Sequence, residues 1–206
     1  IPDHVTDDNA LFLGDILSSG YFGAELAEIQ PGDTVAVIGA GPVGLCAAMC
    51  AGLFGAGDVI LLDIDAHRLE LAKRLGLATY TINPSTESAE EAVRALTQGR
   101  GADAVIEAAG GADTFQTAWQ IARPNSVVAL VAMYEQAQPF PLPNMYGKNL
   151  IFKTGGVDAV HCDRLMKLIA CGKLNTDFLI THRAPLNDLM EGYHVFGGKQ
   201  EHCLKW

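Results

Sequence analysis

Thr34-Val35-Ala36-Val37-Ile38-Gly39-Ala40-Gly41-Pro42-Val43-Gly44 is the stretch that decides the fold. Its first five residues are rich in β-branched side chains and read as a buried strand. A glycine turn follows, and the apolar run Leu45 to Leu53 reads as a helix. The glycines stand in the pattern G-x-G-x-x-G, and each has a physical task. Gly39 permits a tight turn. Gly41 lets a pyrophosphate approach the backbone. Gly44 lets the helix pack close to the strand. The helix start then offers unpaired N–H groups and a positive dipole end to phosphate oxygens.

Glycine-rich strand-to-helix turns also occur without a ligand, so a second feature is needed. Asp63 supplies it, 24 residues after Gly39 and at the end of a second apolar run, Val59-Ile60-Leu61-Leu62. That is where the acid that grips an adenosine ribose falls. The competing reading is a structural βαβ turn with Asp63 as a helix cap.

Strand and helix patterns alternate from Thr34 to Cys171. Strands are expected at Val59–Asp63, Thr79–Ile82, Ala104–Ala108, Val127–Met133 and Leu150–Thr154. Helices are expected between them, the one over 88–97 opened by a Ser88/Glu91 capping pair. This alternation predicts an α/β protein of the Rossmann type, a doubly wound, six-stranded parallel sheet. Ahead of it, Ala10 to Glu28 has helical spacing. Gly14, Gly20 and Gly23 are expected to split it into two short helices, with residues 1–9 loose. Pro139, Pro141 and Pro143 predict an extended segment, and Cys203-Leu204 the start of a last strand. Residues 1–30 read as a linking helical segment and 31–206 as the dinucleotide-binding domain.

The 206 residues are 49% hydrophobic, enough for a sizeable core, and the formal net charge of -10 argues against nucleic acid and anionic membrane surfaces. No apolar run is long enough to span a bilayer. The start, Ile1-Pro2-Asp3-His4, is polar and lacks Met, which reads as a fragment without a signal peptide. The five cysteines form no C-x-x-C pair and the six histidines no H-E-x-x-H, so neither a structural zinc site nor a disulfide framework is signalled. A reducing, cytoplasmic setting is expected. Cys46 and Cys50 share a helix face and read as small core residues.

Further stretches carry a resemblance: Gly14-Asp15-Ile16-Leu17-Ser18-Ser19-Gly20-Tyr21, Gln30-Pro31-Gly32-Asp33-Thr34-Val35, Leu62-Asp63-Ile64-Asp65 and Leu179-Ile180-Thr181-His182. With the glycine turn they make the chain resemble the cofactor domain of medium-chain, zinc-dependent alcohol dehydrogenases, over nearly its whole length. The resemblance implies NAD as cofactor and a small alcohol as substrate. It also implies an N-terminal catalytic domain, absent here, that carries most ligands of a catalytic zinc. It assigns Gly39, Gly41, Pro42, Val43 and Gly44 to the pyrophosphate and nicotinamide side, and Asp63 with Arg68 to the adenosine ribose. Val131, Gly155 and Val157 would fix the nicotinamide carboxamide, and Ser19 would lie near its ring. Lys205 would lie near the pyrophosphate. Asp15 stands where many members have a zinc-ligating Cys and others an Asp, which makes it the metal-ligand candidate. His182 falls in a family-like loop and reads as structural. The resemblance further implies a homodimer or homotetramer, joined along the apolar strand at Leu150-Ile151-Phe152. Two other readings are a zinc-free quinone reductase of the same superfamily, which Asp15 and Asp63 argue against, and a non-catalytic NAD-binding module.

Overall fold

A computed structural model describes residues 1–198 and 200–206. Among them the chain runs α1 (Asp7–Ala10), α2 (Ile16–Leu26), β1 (Thr34–Ile38), α3 (Pro42–Leu53), β2 (Asp58–Leu62), α4 (Ala66–Arg74), β3 (Tyr80–Ile82), α5 (Ala89–Leu96) and β4 (Ala102–Glu107). It continues through α6 (Thr114–Ile121), β5 (Ala122–Leu130), α7 (Leu142–Met145), β6 (Ile151–Thr154), α8 (Cys162–Ala170) and α9 (Leu189–Gly197). The six strands form one sheet in the order β3-β2-β1-β4-β5-β6, and every pairing is parallel. The chain starts in the middle, works to one edge, returns, and works to the other. This is the doubly wound Rossmann arrangement, and its switch point lies between β1 and β4.

The chain divides into two compact units, Ser19–Asp158 and Ile1–Ser18 with Ala159–Trp206. The first holds the sheet. Consecutive residues Val35, Ala36 and Val37 of β1, and Ile60, Leu61 and Leu62 of β2, are fully buried. Both sheet faces are therefore covered, which is why these strands read as unbroken apolar runs and not as alternating ones. One face packs Ile38, Ile60, Leu62, Val105 and Val128 against Val93 of α5 and Ala118 and Ile121 of α6.

A lysine finishes one of these helices. Lys148 Nζ donates to the carbonyls of Trp119, Gln120 and Ala122 at 2.7–2.9 Å and stands 5.5 Å from the centre of the Trp119 ring. Carbonyls at the end of α6, which a helix leaves without intrahelical partners, thus receive a cation that also favours the negative dipole end.

Several expectations need correction. Gly20 and Gly23 do not split the leading segment, because α2 runs straight through both. A Cβ on Gly20 would stand 2.5 Å from the Cys46 Cβ and 2.7 Å from the Ala47 N, and one on Gly23 would stand 2.9 Å from a Val131 methyl. The glycines let the helix backbone come close to its neighbours, which offsets a helix cost of about 1 kcal/mol each. The fifth strand starts at Ala122, paired with Ala102 across a register irregularity, and ends at Leu130. Asn125, at φ 61°, turns the chain inside that irregularity. The proline segment contains α7, since proline fits the first positions of a helix.

In the other unit, residues 1–9 are tied down. Thr6 caps α1, and the Asn9 side chain donates to Asp177 at 2.7 Å and accepts the Thr176 N–H at 3.1 Å. Cys203 and Leu204 are buried but form no strand. Instead the Thr181 and His182 amides donate to the Lys205 carbonyl.

Candidate dinucleotide site

The sheet register brings several of the candidate residues to one edge. Leu62, Ile38, Glu107, Leu130 and Thr154 pair across β2, β1, β4, β5 and β6 as one row. The next residues along these strands are Asp63, Gly39, Ala108, Val131 and Gly155. Backbone bonds extend the row: Gly39 N–H to Leu62 O at 2.7 Å, Ala108 N–H to Ile38 O at 2.9 Å, and Val131 N–H to Glu107 O at 2.9 Å. So the ribose, pyrophosphate and carboxamide candidates all sit at the carboxyl edge of the sheet, where open α/β sheets bind ligands.

The three glycines of the turn differ. Gly39 has φ 100°, a left-handed conformation that favours glycine. A Cβ on Gly44 would fall 1.8 Å from the Gly39 carbonyl oxygen, so only glycine lets α3 start this close to the turn. Gly41 caps α3 with φ −73°, and a Cβ there would meet only the Arg68 guanidinium, 3.8 Å away. Gly41, Pro42 and Val43 are partly open, whereas Gly44 is buried.

Asp63 is half-buried beside this turn. Its Oδ2 accepts the Ala40 N–H at 2.6 Å and its Oδ1 the Asp65 N–H at 2.8 Å. Each oxygen keeps a lone pair for a further donor. Asp65 in turn caps α4 through the His67 and Arg68 amides. It also stands 3.6 Å from Arg68 Nε, which is buried with no hydrogen-bond partner in the protein. A cation is thereby held against the glycine turn.

Ser19 is buried in α2 and Val157 is half-buried after β6. The other two candidates fall in the second unit. Asp15 is exposed at the start of α2. Lys205 has its ammonium 5.1 Å from the centre of the Phe196 ring. Among the described residues, no group of three or more His, Cys, Asp and Glu could hold a metal. Cys46 and Cys50 are buried, and burial pushes the Cys46 thiol up to about 12 and Cys50 well above its ordinary value, so neither is a nucleophile.

The sequence description of zinc-binding dehydrogenases matches residues 42–158. The chain belongs to the zinc-binding dehydrogenase family. It is 36% identical, over its full length, to an alcohol dehydrogenase of Cupriavidus necator and spans 57% of that protein. It is 35% identical to the NADP-dependent isopropanol dehydrogenase of Thermoanaerobacter brockii, with 88% of this chain and 53% of the relative covered. The solved alcohol dehydrogenase TADH from Thermus sp. ATN1 superposes with a TM-score of 0.92 at 36% identity, over 99% of this chain and 60% of that one. The chain thus spans little more than half the length of these zinc-binding dehydrogenases, and the Rossmann domain it forms is their C-terminal, cofactor-binding part.

One residue of this edge escaped the sequence reading. Glu107 ends β4 fully buried. Its Oε1 accepts the Ala109 and Gly110 N–H groups, both at 2.9 Å, while its Oε2 is buried with no partner at hydrogen-bond geometry. The signal was present as an acid inside the apolar run Ala104 to Ala108.

Proposed function

We propose that this chain is the cofactor half of an NAD-dependent, zinc-containing alcohol dehydrogenase. Gly41 carries the reading. Neither its φ nor its neighbours call for glycine, yet it opens α3 beside a held guanidinium. A dinucleotide pyrophosphate is the group that uses such a space, with the first amides of α3 and Arg68 around it.

Asp63 supports NAD over NADP. Its free lone pairs suit the ribose 2′-hydroxyl and would repel a 2′-phosphate. The relative from Thermoanaerobacter brockii is named for NADP, so within the family the choice rests on local residues. The backbone at Val131, Gly155 and Val157 then holds the carboxamide, and Ser19 approaches the ring. When bound, the nicotinamide would supply the hydride acceptor for an alcohol carbon. The residues of this chain bind it, orient it and hold its phosphates.

A zinc needs several ligands, and Asp15 is proposed as one of them in the full-length protein. A carboxylate is a competent zinc ligand. A cytoplasmic setting is consistent with five free cysteines. A homodimer or homotetramer would form along β6, an edge strand where Ile151 is exposed.

The test uses the full-length protein with zinc, NAD and a panel of small primary alcohols, secondary alcohols and polyols. NADH formation with at least one alcohol is expected. Asp15→Ala should lose zinc and turnover while still binding NAD. No NADH with any alcohol, or unchanged zinc and turnover in Asp15→Ala, contradicts the corresponding part.

A further inference from the structure

The buried carboxylate at the end of β4 is unusual in its surroundings. Glu107 lies in the middle of the sheet, fully buried, between Ile38 of β1 and Leu130 of β5. Burying a charge is costly unless it is well bonded. Yet one of its oxygens receives both local amides and the other has no partner at hydrogen-bond geometry. A fold needing only a packed strand would place an aliphatic residue here.

What Glu107 touches suggests its use. Its Oε1 gathers the N–H groups of Ala109 and Gly110 and so bends the chain directly after the strand. That bend is the wall of the glycine turn: a Cβ on Gly39 would stand 3.0 Å from the Ala109 Cβ and 3.2 Å from the Ala108 carbonyl. Its backbone carbonyl meanwhile accepts the Val131 N–H at 2.9 Å and the Ala132 N–H at 3.2 Å, which starts the turn after β5. The two turns touch, since a Cβ on Gly110 would stand 2.5 Å from the Met133 carbonyl oxygen. The Glu107 side chain therefore sets the loop beside the pyrophosphate candidates, and that loop packs against the turn that follows Val131. Asp63 and Arg68 lie on the other side of Gly39 and hang on their own bonds.

Next to it stands Tyr134. Burial pushes its phenol up; the hydrogen bond with Thr114 opposes this, and the Glu107 carboxylate adds to the rise. The neighbour of the carboxylate therefore stays a neutral hydroxyl.

We infer that Glu107 is a positioning residue for the dinucleotide: through the Ala109 and Gly110 amides its carboxylate holds the loop that faces the pyrophosphate, and with it the turn after β5 that this loop packs against, while leaving the adenosine end alone. This rests on the dinucleotide reading above.

The test compares the wild-type chain with Glu107→Met, which fills the space but cannot accept a hydrogen bond, and Glu107→Gln, whose amide oxygen can. NADH and 5′-AMP are titrated at a temperature where circular dichroism shows each variant folded. Glu107→Met should bind NADH at least tenfold more weakly, with 5′-AMP affinity within about threefold of wild type. Glu107→Gln should recover NADH affinity to within about threefold. Loss of both ligands together, loss of neither, or no rescue by Gln overturns the inference. A wild-type chain that binds 5′-AMP and NADH not at all overturns the underlying reading and this inference with it. If Glu107→Met does not fold, amide exchange in the wild-type chain decides. The Ala109 and Gly110 amides should exchange at least tenfold more slowly than unstructured peptide, and slow further when NADH binds. Exchange at the unstructured rate, or no slowing with NADH, overturns the inference.

Discussion

The Asp63 carboxylate accepts the backbone N–H of Ala40 at 2.6 Å. The end of β2 is thereby fastened to the middle of the glycine turn, and the same carboxylate takes the Asp65 N–H at 2.8 Å. Asp63 is thus part of the turn's structure before any ligand arrives. Asp63→Ala leaves two amides without their acceptor, so it should cost about 1–3 kcal/mol of stability as well as NADH affinity. Asp63→Asn keeps an acceptor but no charge, and should lose the discrimination against NADPH. Thermal melts paired with titrations of both cofactors check this.

Gly41 and Gly44 should respond differently to the same change. Gly44→Ala sets a Cβ against the Gly39 carbonyl at 1.8 Å, and should destabilise by about 1–3 kcal/mol because backbone must move. Gly41→Ala meets only a guanidinium at 3.8 Å. It should cost about 1 kcal/mol or less, as an N-cap change, yet weaken NADH binding at least tenfold. Equal stability losses in the two variants would count against a ligand's claim on Gly41.

Lys148 supports α6 through the carbonyls of Trp119, Gln120 and Ala122. Lys148→Met keeps much of the stem and removes the cation. A loss of about 2 kcal/mol is expected, from hydrogen bonds to a charged group, which is about 4–8 °C in the melting midpoint of a chain this size. A midpoint unchanged within error would show the ammonium to be dispensable.

Asp103 gives the fold an acid-sensitive joint. Burial alone would raise its carboxyl, but the Thr34 amide, the Arg123 guanidinium at 2.7 Å and Arg100 outweigh this and hold it below the ordinary range. A lowered folded value means stability that is complete above the unfolded value, about 3.9, and is lost as pH falls below it. Asp103→Asn should therefore destabilise the chain near neutral pH and flatten its stability curve in that acid window. Parallel acid titrations of the two proteins, followed by circular dichroism, would show it. Curves that stay a constant distance apart down to the lowest pH contradict the assignment.

Much of this was legible in the sequence because it rests on local chemistry. Thr34 to Gly44 named its strand, turn and helix through β-branched residues and glycines. The spacing to Asp63 followed because one βαβ unit fixes it. The strand alternation carried the sheet, since buried parallel strands are written as apolar runs. What failed depended on tertiary neighbours. Gly20 and Gly23 look like breakers in one dimension and are contact points in three. The early start of β5 depends on Ala102, twenty residues away in sequence. Glu107 stands out in the sequence as an acid in an apolar run, but its use was hidden for the same reason, because the amides it gathers and the turns beside it meet only once the sheet is formed. Asp15 was named through resemblance alone, for ligand sets assembled from distant parts of a protein leave no local spacing.

If the carboxyl edge of this sheet is an NAD site selected by Asp63, a calorimetric titration of the purified chain with NADH and NADPH will read it out. Saturable binding of NADH at one site, at least tenfold tighter than NADPH, is expected. No binding of NADH, or NADPH binding as tightly or more tightly, would contradict it.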